Sequence, residues 1–137
     1  EKVMVVEEGQ ETPMHFHWSK MEDIIVRGGG SLAVELYRST PEGGLSDEPV
    51  LLRVDGVLRE LPPGGRVVLG PGESVCLESG VYHRFWGEGA RVLVGEVSMV
   101  NDDLSDNRFL EDCGRFPEIE EDEEALHLLV CDYPRKA

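Results

Sequence analysis

The sequence predicts an all-β protein, an antiparallel sandwich or barrel, and three observations predict it. Short apolar stretches rich in Val, Ile and Leu recur at close spacing. Turn formers punctuate them, 16 Gly and 8 Pro in 137 residues. No convincing helical period appears before residue 100. The 40% hydrophobic content is regularly spaced, unlike that of a disordered chain, and the length suits one core. We expect a single domain over 1–137.

Val3 to Val6 reads as the first strand and Thr12 to Trp18 as the second. Asp23 to Arg27 is a third, closed by Gly28-Gly29-Gly30, and Leu32 to Tyr37 a fourth. Ser39 to Pro49 is polar and turn-rich, hence a loop. Val50–Val54 and Val57–Leu61 flank Asp55-Gly56, a two-residue hairpin signal. Arg66–Leu69, Ser74–Leu77, Val81–Trp86 and Arg91–Ser98 complete a core over 1–100. The texture then changes. Residues 101–124 are polar and end in an acidic run, and we read them as a loop over the barrel mouth. Residues 125–132 read as a strand returning to the sheet.

The net charge of −15 argues against nucleic acid and anionic membranes as partners, because both demand a basic patch. No apolar run approaches the ~20 residues of a membrane span, and Glu1-Lys2 does not begin a signal peptide. The absence of an initiator Met suggests a trimmed chain or one lacking an N-terminal segment. Cys76, Cys113 and Cys131 are scattered and odd in number, which fits buried thiols in a reducing compartment. The expected location is cytoplasmic.

One stretch carries the chemistry. In an extended strand His15 and His17 project to the same face, about 7 Å apart along the chain. A turn after His17 can return Glu22 to that face. Two imidazoles and a carboxylate converging on one point form a common divalent-metal site. His83 is the fourth candidate ligand: it follows the turn at Gly80 and shares a face with Val81 and Phe85. A lone strand histidine is more often a hydrogen-bonded core residue than a ligand. Here two separate segments agree. His127 is the bystander.

These residues resemble a known pattern. Gly9-x5-His15-x-His17-x4-Glu22-x5-Gly28 looks like the first cupin motif, and Gly72-x5-Glu78-Ser79-Gly80-x2-His83 resembles the second. Glu78 replaces the usual Pro, and Gly87 falls where Asn is frequent. The resemblance implies a cupin double-stranded β-helix, a jelly-roll barrel, with a metal inside held by three histidines and a glutamate: His15, His17, Glu22 and His83. His15 to Ile24, Gly95 to Phe109, Gly114-Arg115-Phe116-Pro117 and Ile119 to Asp122 resemble the D-lyxose ketol-isomerase branch of the cupins. Members usually carry a further N-terminal segment. This resemblance implies an aldose–ketose isomerase acting on D-lyxose and D-xylulose, with D-mannose and D-fructose as a side reaction. It also implies Mn2+ as the metal and a homodimer.

Such a reaction moves a proton between C1 and C2 and shifts protons between O1 and O2. A divalent metal chelated by both oxygens stabilises the enediolate as a Lewis acid. The ligand set also admits Fe2+, Co2+, Ni2+ or Zn2+. A base must reach the C1–C2 edge. We expect it in the tail, at Glu120, with Glu118 and Asp106 behind it, although an acidic run is more often a solvated edge. Lys20, between His17 and Glu22, is expected to contact the substrate and to steady charge or move protons, an exposed turn lysine being the structural alternative. Asp106 and Arg108 are candidates to hold distal hydroxyls, or to tie the loop to the barrel. The other readings are a cupin phosphosugar isomerase, which needs a cationic phosphate grip, an iron cupin dioxygenase and a non-catalytic sugar-binding module.

Overall fold

A computed structural model describes residues 1–113, 120 and 122–128. Among them are nine strands and no helix: β1 (Lys2–Val6), β2 (His15–His17), β3 (Glu22–Arg38), β4 (Val50–Val54), β5 (Val57–Leu61), β6 (Gly65–Leu69), β7 (Ser74–Leu77), β8 (Val81–Ser98) and β9 (Asn107–Phe109). No helix of the described residues is long and apolar enough to cross a membrane. Every strand pair is antiparallel.

Two long strands organise the rest. β3 pairs with β8 from Glu22↔Ser98 to Arg38↔Val81. The free edge of β3 takes β7 against Glu22–Ile25 and β6 against Leu32–Leu36. The free edge of β8 takes β1 against 92–96 and β2 at His83. The hairpin β4–β5 extends the sheet from β7, and Asp55 (φ 48°) and Gly56 (φ 79°) both adopt the left-handed backbone its two-residue turn requires.

The glycines at 28–30 do not end a strand as the sequence predicts. They bend one: register shifts fall between Val26 and Gly28 and between Gly29 and Ser31, so the expected third and fourth strands are a single β3. A Cβ on Gly30 would lie 2.5 Å from the carbonyl oxygen of Glu88 and 2.6 Å from that of Ala90, so only glycine permits β8 this close. The expected strands at 81–86 and 91–98 likewise join as β8.

Alternation then fills the barrel. Ile24, Val26, Leu32, Val34 and Leu36 of β3 pack with Leu69, Val75, Phe85, Val92 and Val94 in one buried cluster. Tyr82 is buried on the opposite face of β8, against Phe16, where its hydroxyl donates to the Gly43 carbonyl at 2.7 Å. The 39–49 loop thus covers that face.

The tail is more regular than expected. A turn at 102–106 leads into β9, which pairs with β2 (His17↔Asn107, His15↔Phe109) and extends the sheet beyond that short strand. Residues 125–128 are exposed and outside any strand; 129–132, the rest of the expected returning strand, lie outside the described residues.

Candidate metal centre and cavity

β2 turns His15 and His17 inward, and β8 brings His83 opposite His15. The potential ligand atoms of the three imidazoles lie within 4.8 Å of one another. Glu22, the first residue of β3, joins them: its Oε1 is 3.0 Å from His83 Nε2 and 3.5 Å from His17 Nε2. The four residues predicted to hold a metal therefore come together, and His17, Glu22 and His83 are all buried.

The rings are oriented for ligation. His15 Nδ1 lies 2.8 Å from the Pro13 carbonyl and His83 Nδ1 3.0 Å from the Val81 carbonyl, each two residues back along the chain. An Nδ1–H donated to a carbonyl leaves the Nε2 lone pair for a cation. His17 differs: both its ring nitrogens are buried without a hydrogen-bond partner. An imidazole in that state is costly unless a cation or a shifted acceptor satisfies it. The donor set suits a borderline divalent metal, and the orphaned ring makes the fit specific.

Charge is closely balanced around the centre. Lys20, which the sequence leaves open as an exposed turn residue, is buried, with its ammonium 2.6 Å from Glu22 Oε2 and 3.0 Å from Glu96 Oε1. Burial opposes the charge of Lys20, but the hydrogen bond and charge of Glu22, and then Glu96, raise its pKa. Burial likewise opposes ionisation of Glu22, yet the imidazoles of His17 and His83 beside it, and then the Lys20 ammonium, hold its carboxyl far below the usual range. Burial, followed by the charge of His83, lowers His15 to about 3, so it is a neutral imidazole near pH 7.

A cavity of about 140 Å³ opens on these groups; Lys2, Thr12 and Phe85 line it beside the histidines, Glu22, Lys20 and Glu96. Sequence reasoning missed Glu96 and Lys2. Lys2 reaches in from β1, its ammonium 3.1 Å from Glu96 Oε1. A signal for both existed: in Val92-x-Val94-x-Glu96 and Lys2-x-Met4-x-Val6 a charge occupies the position that alternation turns inward.

The tail candidates stand elsewhere. Glu120 is exposed and does not line the cavity; Glu118 lies outside the described residues. Arg108 is exposed on β9, near Gly43. Asp106 is buried, and its carboxylate accepts from the Ser19 amide (2.8 Å), the Lys20 amide (3.1 Å) and Asn101 Nδ2 (3.2 Å). Burial opposes its charge, but the two amides hold its pKa below the ordinary value. A larger cleft of about 250 Å³ lies across the sheet, where Arg84 donates to Glu35 at 2.9 and 2.8 Å. It holds no converging donor set.

The chain also resembles known proteins. Residues 1–133 match the D-lyxose isomerase family. The D-lyxose/D-mannose isomerase of Serratia proteamaculans is 52% identical over 137 residues, covering 98% of this chain and 60% of that protein. The D-lyxose/D-mannose isomerase of Escherichia coli O157:H7 is 48% identical over 135 residues, covering 97% and 60%. The chain thus spans about 60% of the length of these relatives. Among solved structures, L-ribose isomerase of Cellulomonas parahominis with L-ribose superposes with a TM-score of 0.58 at 22% identity, covering 80% of this chain and 57% of that one. That likeness shows a shared fold.

Proposed function

The chain belongs to the D-lyxose isomerase family, and from that premise we propose that it is a metal-dependent aldose–ketose isomerase interconverting D-lyxose and D-xylulose, and D-mannose and D-fructose. The observation that carries the reading is the cavity, in which three imidazoles and Glu22 converge beside the Lys20–Glu96 ion pair.

His15, His17, Glu22 and His83 would hold a divalent cation, Mn2+ by our reading. The cation would supply Lewis acidity to the C1 and C2 oxygens of a sugar. Isomerisation moves one proton from C2 to C1 and one from the C2 hydroxyl to the C1 oxygen. Glu96 is our candidate for the carbon-bound proton, because it is the carboxylate of the cavity not turned toward the imidazoles. Lys20 keeps its ammonium between Glu22 and Glu96, where it can lend positive charge to an oxygen in transit and orient Glu96. Lys2, half-exposed at the cavity, can reach a distal hydroxyl. Glu120 remains the second candidate base and Arg108 a candidate for distal hydroxyls, both as parts of a tail that would cover the cavity.

Free sugars are favoured over phosphosugars because each ammonium lining the cavity already faces a carboxylate. A cytoplasmic homodimer is part of the same proposal. Its support is the exposed apolar row Val3, Val5, Leu93 and Val97 on β1 and β8.

Incubating the Mn-loaded chain with D-lyxose and D-mannose tests the activity. Ketose should accumulate and stop accumulating when a chelator is added; ketose from neither sugar would refute the reading. Gel filtration tests the dimer.

A further inference from the structure

Two of the three imidazoles are oriented by carbonyls two residues back in the chain. His17 is not, and what stands behind it comes from the tail. Its Nε2 faces Glu22 at 3.5 Å, so its Nδ1 points away from the centre, toward Asp106 Oδ2 at 4.0 Å. Asp106 is 6% exposed and His17 4%, so neither can turn to water for a partner. The same carboxylate accepts the backbone N–H groups of Ser19 and Lys20. The Asp106 carbonyl accepts the Trp18 N–H at 3.0 Å. Three consecutive amides after His17 are therefore tied to one tail residue, which is itself fixed by Asn101 Nδ2 and by donation of its own amide to Asp102 O at 2.9 Å.

We infer that Asp106 is a positioning residue for the metal centre: it accepts the Nδ1–H of His17 when a divalent cation takes Nε2, and it holds the turn that buries Lys20. The inference rests on the metal reading above and assigns the tail a role in it. A cation on Nε2 requires the proton on Nδ1, and a carboxylate at that nitrogen fixes ring orientation and strengthens the ligand. A shift of about 1 Å closes the gap to a charge-assisted hydrogen bond. The linkage is reciprocal: if tail docking favours metal binding, metal binding favours tail docking to the same extent. The geometry thereby moves Asp106 from a contact to sugar hydroxyls to a support behind a ligand.

The test uses the full chain stripped with chelator, Mn2+ or Zn2+ alone as the probe, and competition against a metallochromic dye. Asp106→Ala should raise the metal Kd about 10–100-fold, whereas Leu104→Ala, at an exposed side chain of the same turn, should change it less than about threefold. Where Asp106→Ala fails to fold, Asp106→Asn keeps the shape and removes the charge, and the same rise is expected. In the parent, adding metal should slow hydrogen exchange at the Ser19 and Lys20 amides, and in Asp106→Asn this slowing should be lost. A folded variant with lower metal-free Tm but the parental Kd means a structural role only and overturns the inference. A parent that binds neither metal removes the metal reading itself, and this inference with it.

Discussion

The barrel interior has two fillings, equally buried and held by opposite physics. Ile24, Val26, Leu32, Val34, Leu69 and Val94 are at most 1% exposed, and so is His83; His17, Lys20 and Glu22 reach only 4%. The aliphatic side chains gain from leaving water, roughly 25 cal/mol per Å² of apolar surface buried. The ionisable ones lose hydration and recover it only through one another, so each must find a partner: Glu22 with His83 and Lys20, Lys20 with Glu96. One half is buried because it stabilises the fold. The other is buried at the expense of stability, as ionisable groups at functional sites commonly are.

Substitutions should therefore separate activity from stability according to which filling they touch. The largest effect is expected at Glu96. Glu96→Gln should lower kcat on D-lyxose by about 10²–10⁴-fold while the chain still folds by circular dichroism. A greater loss in Glu120→Gln would return the base to the tail. Next, in the aliphatic half, Leu69→Ala should cost about 2–5 kcal/mol in urea unfolding and leave kcat per folded molecule within about threefold. A kcat that falls as far as the Glu96 variant's would erase the distinction between the halves.

Lys2→Ala should act more gently, through a hydrogen bond of about 1 kcal/mol or roughly fivefold in KM, with kcat little changed; an unchanged KM would remove Lys2 from the substrate's reach. The remaining effect is on pH dependence. In the metal-free protein His15 has a folded pKa of about 3, below its ordinary 6.5. Its neutral form is thus favoured in the fold, and the associated stability is full above about pH 6.5 and lost progressively as pH falls towards 3, with a slope no steeper than about 1.4 kcal/mol per pH unit. His15→Gln should flatten the dependence of metal-free Tm over that window, and an unaltered slope would contradict the burial of its ring.

Much of this arrangement is legible one segment at a time. His15 and His17 share a face because a strand alternates, and Val81, His83 and Phe85 do so for the same reason, so each half of the candidate metal centre can be read locally. The Asp55-Gly56 hairpin is local too, since two left-handed residues suffice to specify it. Glu96 escaped notice because a strand read over 91–98 by itself does not show which of its faces turns inward. The inward positions change from odd (His83, Phe85) to even (Val92, Val94, Glu96) between 85 and 92, and which way that irregularity turns depends on the bend in β3 beside it.

What the sequence by itself determined is the all-β class, the identity of the four candidate ligands and the family, all carried by short-range periodicity and by residues whose chemistry does not depend on context. What only the tertiary structure decided is which charges face which. Lys20 could have been a solvated turn residue; it is buried because Glu22 and Glu96, 2 and 76 positions away, meet its ammonium. Asp106 reads in the sequence as a residue for sugar hydroxyls or for tying the loop to the barrel; its oxygens accept from amides 86 and 87 positions away in the chain. A buried charge is tolerated only where its counter-charge arrives, and that arrival depends on contacts between distant parts of the chain that no local pattern encodes.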